Sequence, residues 1–173
     1  SYASHYYSRR TGKLLRSYLK TSMAVDTDKK VILGWKISQK RIMMSNMQKL
    51  YAKALLRQSN KLRKSECYVM DKGYDSEKIH ELIRGEIKAD SIIHLRVRKR
   101  ERIKGKYRRQ LHLTFDKIRY NKRNIAEATF SVVKRKFGEV LRARKYFNQV
   151  KEIKIKLIVY NINKKVVEII YIK

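Results

Sequence analysis

Proline is absent from the 173 residues, glycine occurs only six times, and Cys67 is the single cysteine. With no Pro- or Gly-rich stretch there is no flexible linker, so residues 1–173 are expected to form one domain. One cysteine excludes an intrachain disulfide and a cysteine-built metal site, and it suits a reducing cytoplasm. The four histidines, His5, His80, His94 and His112, show no ligand spacing. No apolar run approaches the ~20 residues of a membrane span, so no membrane partner is expected. The opening SYASHYYSRR lacks the apolar core of a signal peptide and an initiator Met, so the chain reads as a fragment.

Acidic residues are also scarce. Fifteen Asp and Glu face 45 Lys and Arg, which leaves a net charge of +30. A cationic excess of this size predicts a polyanionic partner, nucleic acid before an anionic membrane surface or ribosomal RNA. Hydrophobic residues make up 43%, which excludes a disordered basic tail.

Strand and helix patterns alternate along the chain. Residues 14–25 and 31–37 read as strands joined by a polar turn at Asp26-Thr27-Asp28-Lys29-Lys30. Residues 46–63 carry Met47, Leu50, Tyr51, Ala54 and Leu55 at helical spacing. Residues 66–70 form a short apolar strand, and Ser76 is placed to cap a helix over 77–86 with Ile79, Leu82 and Ile83 inward. Residues 89–95 read as a strand and 96–109, with nine basic side chains and one acid, as an exposed loop. Helices are expected over 120–137 and, after Gly138, over 149–168, with Ile153, Ile155, Leu157, Ile158 and Val159 partly buried. Strands mixed with helices predict a layered α/β domain. Trp35 and most of the twelve tyrosines are expected to pack in the core.

Two constellations could carry chemistry. Asp71 follows an apolar strand, the place where α/β sites form, and Gly73 would allow a sharp turn there. The same residues also suit a plain turn in which Asp71 or Asp75 caps backbone amides. On a helix over 120–137, Tyr120, Arg123, Glu127 and Lys134 fall at about 0°, 300°, 340° and 320°, one stripe beside the apolar Ala126, Phe130, Val133 and Phe137. A carboxylate there could bind a hard cation, and the flanking Arg123 and Lys134 suit phosphate. A solvated face of i,i+4 ion pairs fits equally well.

The spacing Tyr120-x2-Arg123-x3-Glu127-x6-Lys134 resembles the Y-(2)-R-(3)-E-(6)-K signature of a group of DDE insertion-sequence transposases. Asp71-Lys72-Gly73-Tyr74-Asp75-Ser76-Glu77 is similar to that group's second-acid motif, and the tail from Phe130-Ser131-Val132-Val133-Lys134 onward is similar as well. The resemblance implies a ribonuclease-H-like mixed sheet flanked by helices. It implies metal-dependent phosphodiester hydrolysis at transposon ends and 3′-OH strand transfer into target DNA. It further implies two Mg²⁺ or Mn²⁺ ions, double-stranded DNA as partner, a homodimer in a synaptic complex, and a prokaryotic, nucleoid-associated setting. Carried over, Asp71 is the second metal-binding acid and Glu127 the third, while Tyr120, Arg123 and Lys134 handle phosphates. The loop residues Arg98, Lys99, Arg100, Arg102, Lys104, Lys106, Arg108 and Arg109 are the expected DNA track.

The resemblance has departures. The first acid belongs on the first strand of an antiparallel meander, whereas Asp26 sits in the turn after the second. Because Tyr6-Tyr7-Ser8-Arg9-Arg10 is similar to the stretch before the second strand, the first strand and its acid are expected upstream of Ser1, with Asp26 as the alternative. Arg41-Ile42-Met43-Met44-Ser45 stands where many relatives have His-Asp-Ser. A catalytically dead remnant acting as a basic DNA-binding protein is therefore the alternative function, and an unrelated RNA binder the third.

Overall fold

The computed structural model describes residues 2–7, 14–39, 44–97 and 102–171. The chain forms two compact bodies, Ser1–Met43 with Glu127–Lys173 and Met44–Ala126.

The first body is built on a four-stranded sheet in the order β3-β2-β1-β6. Strands β1 (Tyr2–Tyr7), β2 (Leu14–Val25) and β3 (Ile32–Gln39) pair antiparallel in sequence order, with Tyr2 opposite Leu19 and Met23 opposite Trp35. The short β6 (Val140–Leu141) pairs parallel to β1. The β2–β3 turn forms where Asp26 was expected to make it. Its carboxylate accepts the Asp28 and Lys29 amides at 2.9 and 3.1 Å, and its own amide bonds Val31 O at 2.9 Å. Asp is enriched in turns because its side chain satisfies the amides the turn leaves open. The sequence placed the strand before β2 upstream of Ser1; β1 occupies that position, and its YASHYY carries no carboxylate. β1 mixes small and polar residues with aromatics, and β6 is two residues long, so neither shows the alternation that marks a strand in sequence.

The core of this body is Tyr2, Leu19, Ile32, Val133, Leu141, Ile153, Leu157 and Tyr160, with Trp35, Phe130 and Phe137 packed against it. Helix α6 (Tyr146–Tyr171) supplies Ile153, Leu157 and Tyr160 at i, i+4, i+7, one face of a 3.6-residue period. Ile155 and Ile158, expected to be partly buried, lie on the other side and are exposed, because they are out of phase with that face. Asn161 joins α6 to the sheet edge. Its amide oxygen accepts the Ile32 N–H at 2.9 Å and its Nδ2 donates to Ile32 O at 2.8 Å, as a neighbouring strand would.

The second body holds a two-stranded parallel sheet, β4 (Cys67–Met70) with β5 (Asp90–Ile93). Helix α1 (Met44–Leu62) turns Ala52, Leu55, Leu56 and Ser59 inward and leaves Leu50 exposed. The helix after β4 starts at Ser76 as expected. This element, α2 (Glu77–His80), continues as a wider π-helical stretch, Glu81–Ile87. Ser76 starts it without a side-chain cap. Ile79, Leu82 and Ile83 are buried, as the spacing requires, and join Ala52, Leu56, Ala89 and Ile93 in a second core.

Two expectations on this side are corrected. The basic segment is not loop throughout, since helix α3 (Lys106–Leu113) begins within it. The helix expected over 120–137 is two: α4 (Lys117–Asn121), capped by Asp116, and α5 (Arg123–Phe137). The joint at Lys122 is a tightened turn, with Lys122 N bonded to Arg119 O at 3.1 Å and Ile125 N to Lys122 O at 3.0 Å. Asn121 and Asn124 flank it, and Asn side chains compete with helical backbone bonds. Residues 123–126 of α5 belong to the second body and 127–137 to the first.

The class predicted from sequence holds. The fold is mixed α/β, with small sheets and helices, consistent with a ribonuclease-H-like domain.

Candidate nucleic-acid and metal site

Asp71 stands at the carboxyl end of β4, where the strand's last amide plane gives way to a 3₁₀ turn, Lys72–Tyr74. Its Oδ1 accepts the Lys72 N–H at 2.8 Å, and its carbonyl accepts the Tyr74 N–H at 2.9 Å. The turn is right-handed. Among the described residues the glycines with positive φ are Gly105 and Gly138, so Gly73 is not needed for an unusual backbone angle. Both the capping role and an exposed carboxylate are realised at once, because the Asp71 side chain remains 60% accessible.

The same Oδ1 lies 3.3 Å from a terminal guanidinium nitrogen of Arg123. The two motifs singled out in sequence therefore touch through these two residues. Arg123 is stationed by an aromatic neighbour, its guanidinium carbon lying 5.6 Å from the centre of the Tyr120 ring. Tyr120 in turn packs against Phe115 and His94, with ring centres 5.3 and 5.9 Å away. His94 follows β5 as Asp71 follows β4, so both parallel strands contribute a polar group at their carboxyl ends. His94 and Phe115 were missed in sequence. The strand-end logic that picked out Asp71 applies to His94 equally, while nothing local marks Phe115.

Glu127 and Lys134 lie on the part of α5 in the first body. Glu127 is exposed, and its carboxylate follows Arg123 by four residues on one helix, a little over one turn. Lys134 donates to Glu139 Oε1 at 2.8 Å and sits 5.3 Å from the Phe130 ring centre. Tyr120 belongs to α4 and reaches Arg123 across the joint.

Of the basic residues, Arg102, Lys104, Lys106 and Arg109 are exposed, and Arg98, Lys99 and Arg100 lie outside the described residues, as do 41–43 and 8–10. Arg108 differs from the rest. It is folded inward onto Asp75, with Nε and a terminal nitrogen each 2.8 Å from the two carboxylate oxygens. A buried polar network lies nearby. His80 Nδ1 is 2.7 Å from Ser91 Oγ, which also accepts the Arg84 Nε–H at 3.0 Å. His80 and Ser91 are both fully buried. Burial holds the imidazole below its usual range, against the opposing pull of Asp75 and Glu77.

The arrangement is an exposed acid at a strand end, held against an arginine on an aromatic platform, in a mixed α/β chain of net charge +30. The family described as the transposase DDE domain matches residues 2–162, and the chain belongs to it. No curated protein and no solved structure matches. The function of the chain is accordingly that of a transposase domain acting on DNA. Among the described residues, no helix is long and apolar enough to cross a membrane.

The family generally uses divalent metal ions. Carboxylate oxygens are the right donors for such hard cations, and Asp71 already holds a cationic group at Oδ1. Among the described residues, no group of three or more His, Cys, Asp or Glu is drawn together as a metal cluster. The donor chemistry fits, and Asp71 fits as one ligand of a set.

Proposed function

We propose that this domain performs metal-dependent phosphodiester hydrolysis at transposon ends and 3′-OH strand transfer into target DNA, within the Y-(2)-R-(3)-E-(6)-K group. Asp71 and Glu127 are the acids that would hold Mg²⁺ or Mn²⁺. Bound there, such ions supply Lewis-acid polarisation of phosphate and activation of the attacking oxygen.

The protein's own groups have separable tasks. Arg123 offers a planar, two-pronged donor to phosphate oxygens, and the Tyr120 ring keeps it from folding away. Lys134 supplies a point charge, and the exposed Arg102, Lys104, Lys106 and Arg109 neutralise backbone phosphates at a distance from the cut. The DNA partner is a duplex, and a homodimer brings two transposon ends together. The observation that supports this reading is the 3.3 Å contact between Arg123 and Asp71, one residue from each motif.

The test is nicking of a supercoiled plasmid with Mg²⁺ or Mn²⁺ and with chelator. The expected result is metal-dependent nicking lost in both Asp71→Asn and Glu127→Gln, with DNA binding retained. Nicking that survives either change would overturn the assignment. Salt-sensitive duplex binding without nicking would leave a basic DNA-binding protein instead.

A further inference from the structure

Two carboxylates of the Asp71–Glu77 motif do something other than face a phosphate. The Asp75 side chain is only 2% accessible. Its Oδ2 accepts the backbone N–H of Arg96 at 2.6 Å, and its two oxygens grip Arg108 at 2.8 Å each. One buried acid thus ties the start of the basic segment to its end. Glu77, two residues on at the start of α2, completes the hold. Its two oxygens accept the N–H groups of Tyr107 and Arg108, at 2.9 and 3.2 Å, at the start of α3. These amides have no partner within their own helix, and a carboxylate there also meets the positive end of the helix dipole.

The backbone is shaped for this contact. Gly105, which precedes α3, has φ 100°, a conformation glycine adopts without penalty. A Cβ at that position would overlap the Glu77 carboxylate. Arg84 braces the same helix from another side, donating to Gln110 Oε1 at 3.1 Å and lying 5.6 Å from the Tyr107 ring centre.

We propose that Asp75 and Glu77 are positioning residues that clamp the basic segment from Arg102 to Arg109 in a preformed arrangement for the DNA backbone. Two acids that touch no DNA thereby raise DNA affinity. Flexible Lys and Arg side chains on an untethered loop would lose more conformational entropy on binding, and the clamp removes part of that loss in advance. This inference rests on the reading that the basic segment contacts DNA.

The sign of the effect separates a clamp from simple charge. Removing an acid from a basic surface strengthens DNA binding if only Coulomb attraction matters. The clamp demands the opposite. The experiment measures binding of the full chain to a labelled random-sequence duplex, in chelator, across a salt series. The variants are Asp75→Asn, Glu77→Gln and the charge-neutral Gly105→Ala, with Arg102→Gln/Lys104→Gln/Lys106→Gln as the segment control. Hydrogen exchange on the same samples checks that any loosening is confined to the basic segment and α3, so a globally unfolded variant is recognised and the milder Glu77→Gln is used. Each clamp variant is expected to bind roughly 3–10-fold more weakly, with a log–log salt slope shallower by about 1. Unchanged or tighter binding by Glu77→Gln and Gly105→Ala, with weaker binding by the segment control, would overturn the clamp and leave the DNA contact standing. An unaffected segment control would remove the DNA contact from this segment, and the clamp with it.

Discussion

Arg123 reaches across 52 positions of sequence to set its guanidinium 3.3 Å from Asp71. The Asp71 side chain is 60% accessible and that of Arg123 29%, so solvent screens the pair. An exposed pair of this kind contributes about 0–1 kcal/mol to stability. The pair therefore adds little to folding, and the proposed role of Arg123 is to hold phosphate. Arg123→Ala is expected to leave the thermal midpoint within a few degrees of wild type while lowering metal-dependent nicking roughly 10²-fold, the usual cost of a lost charge-stabilising donor. Arg123→Lys should recover little, since a point charge does not replace the fork. Parallel melting and nicking measurements check both halves. A large loss of stability with proportionate loss of activity would make Arg123 a structural residue.

Asp26, the alternative first acid, directly follows β2. Its carboxylate closes the β2–β3 turn through the Asp28 and Lys29 amides. Asp26→Ala is expected to cost about 1 kcal/mol in denaturant unfolding, in line with other caps of backbone amides. Asp26→Asn, which keeps an acceptor oxygen, should cost less, and neither change should alter nicking. Loss of nicking in a fully folded Asp26→Asn would return Asp26 to the list of metal-binding acids.

Tyr2 presents the opposite case, a buried polar atom with no partner among the described residues. Its ring packs edge-on to Phe130 and under the Lys156 ammonium, and the residue is fully buried. Among the described residues the hydroxyl has no hydrogen-bond partner, and burial, with smaller contributions from Glu139 and Glu152, pushes its pKa to about 12. A buried unsatisfied hydroxyl costs about 1–3 kcal/mol. Tyr2→Phe is thus expected to stabilise the first body, by roughly 1 kcal/mol, as read from the denaturation midpoint. A destabilised variant would show that the hydroxyl has a partner in solution.

His80 gives the second body a pH dependence of definite sign. Burial lowers its folded-state pKa below the ordinary 6.5, so on acidification the unfolded chain takes up the proton first. The stability that neutral His80 confers is complete above about pH 6.5 and is lost as pH falls toward the lower folded-state value. Denaturant midpoints measured from about pH 7.5 down to 5.5 should fall for wild type, with a shallower fall in His80→Gln. Equal slopes would show that His80 is already protonated in the fold, or that other groups set the trend.

The motif that carries Glu127 was legible in sequence as spacing. The helix positions of Arg123, Glu127 and Lys134 follow from a 3.6-residue period, and α5 has that period whatever surrounds it. The β2–β3 hairpin, the strand before Asp71 and the inward Ile79, Leu82 and Ile83 were equally local and equally visible. β1 was not visible, because its place is fixed by pairing with β2 and β6 and not by alternation of its own residues. The inward face of α6 was misjudged for a related reason. Nearly every turn of that helix carries Ile or Val, so periodicity alone allows several faces, and packing against the sheet selects Ile153, Leu157 and Tyr160.

By itself, then, the sequence determined the charge of the partner, the mixed α/β class and the spacing of the acid-bearing motifs. All of these follow from composition and from short-range backbone periodicity. Tertiary structure decided which charges are spent within the fold. Asp75 and Arg108 look like any other acid and any other base along the chain, yet a buried bidentate pair withdraws both from solvent. Asp71 and Arg123 meet at the surface instead. Burial sets the strength and purpose of a charge, and burial is a property of the packed chain that no single segment carries.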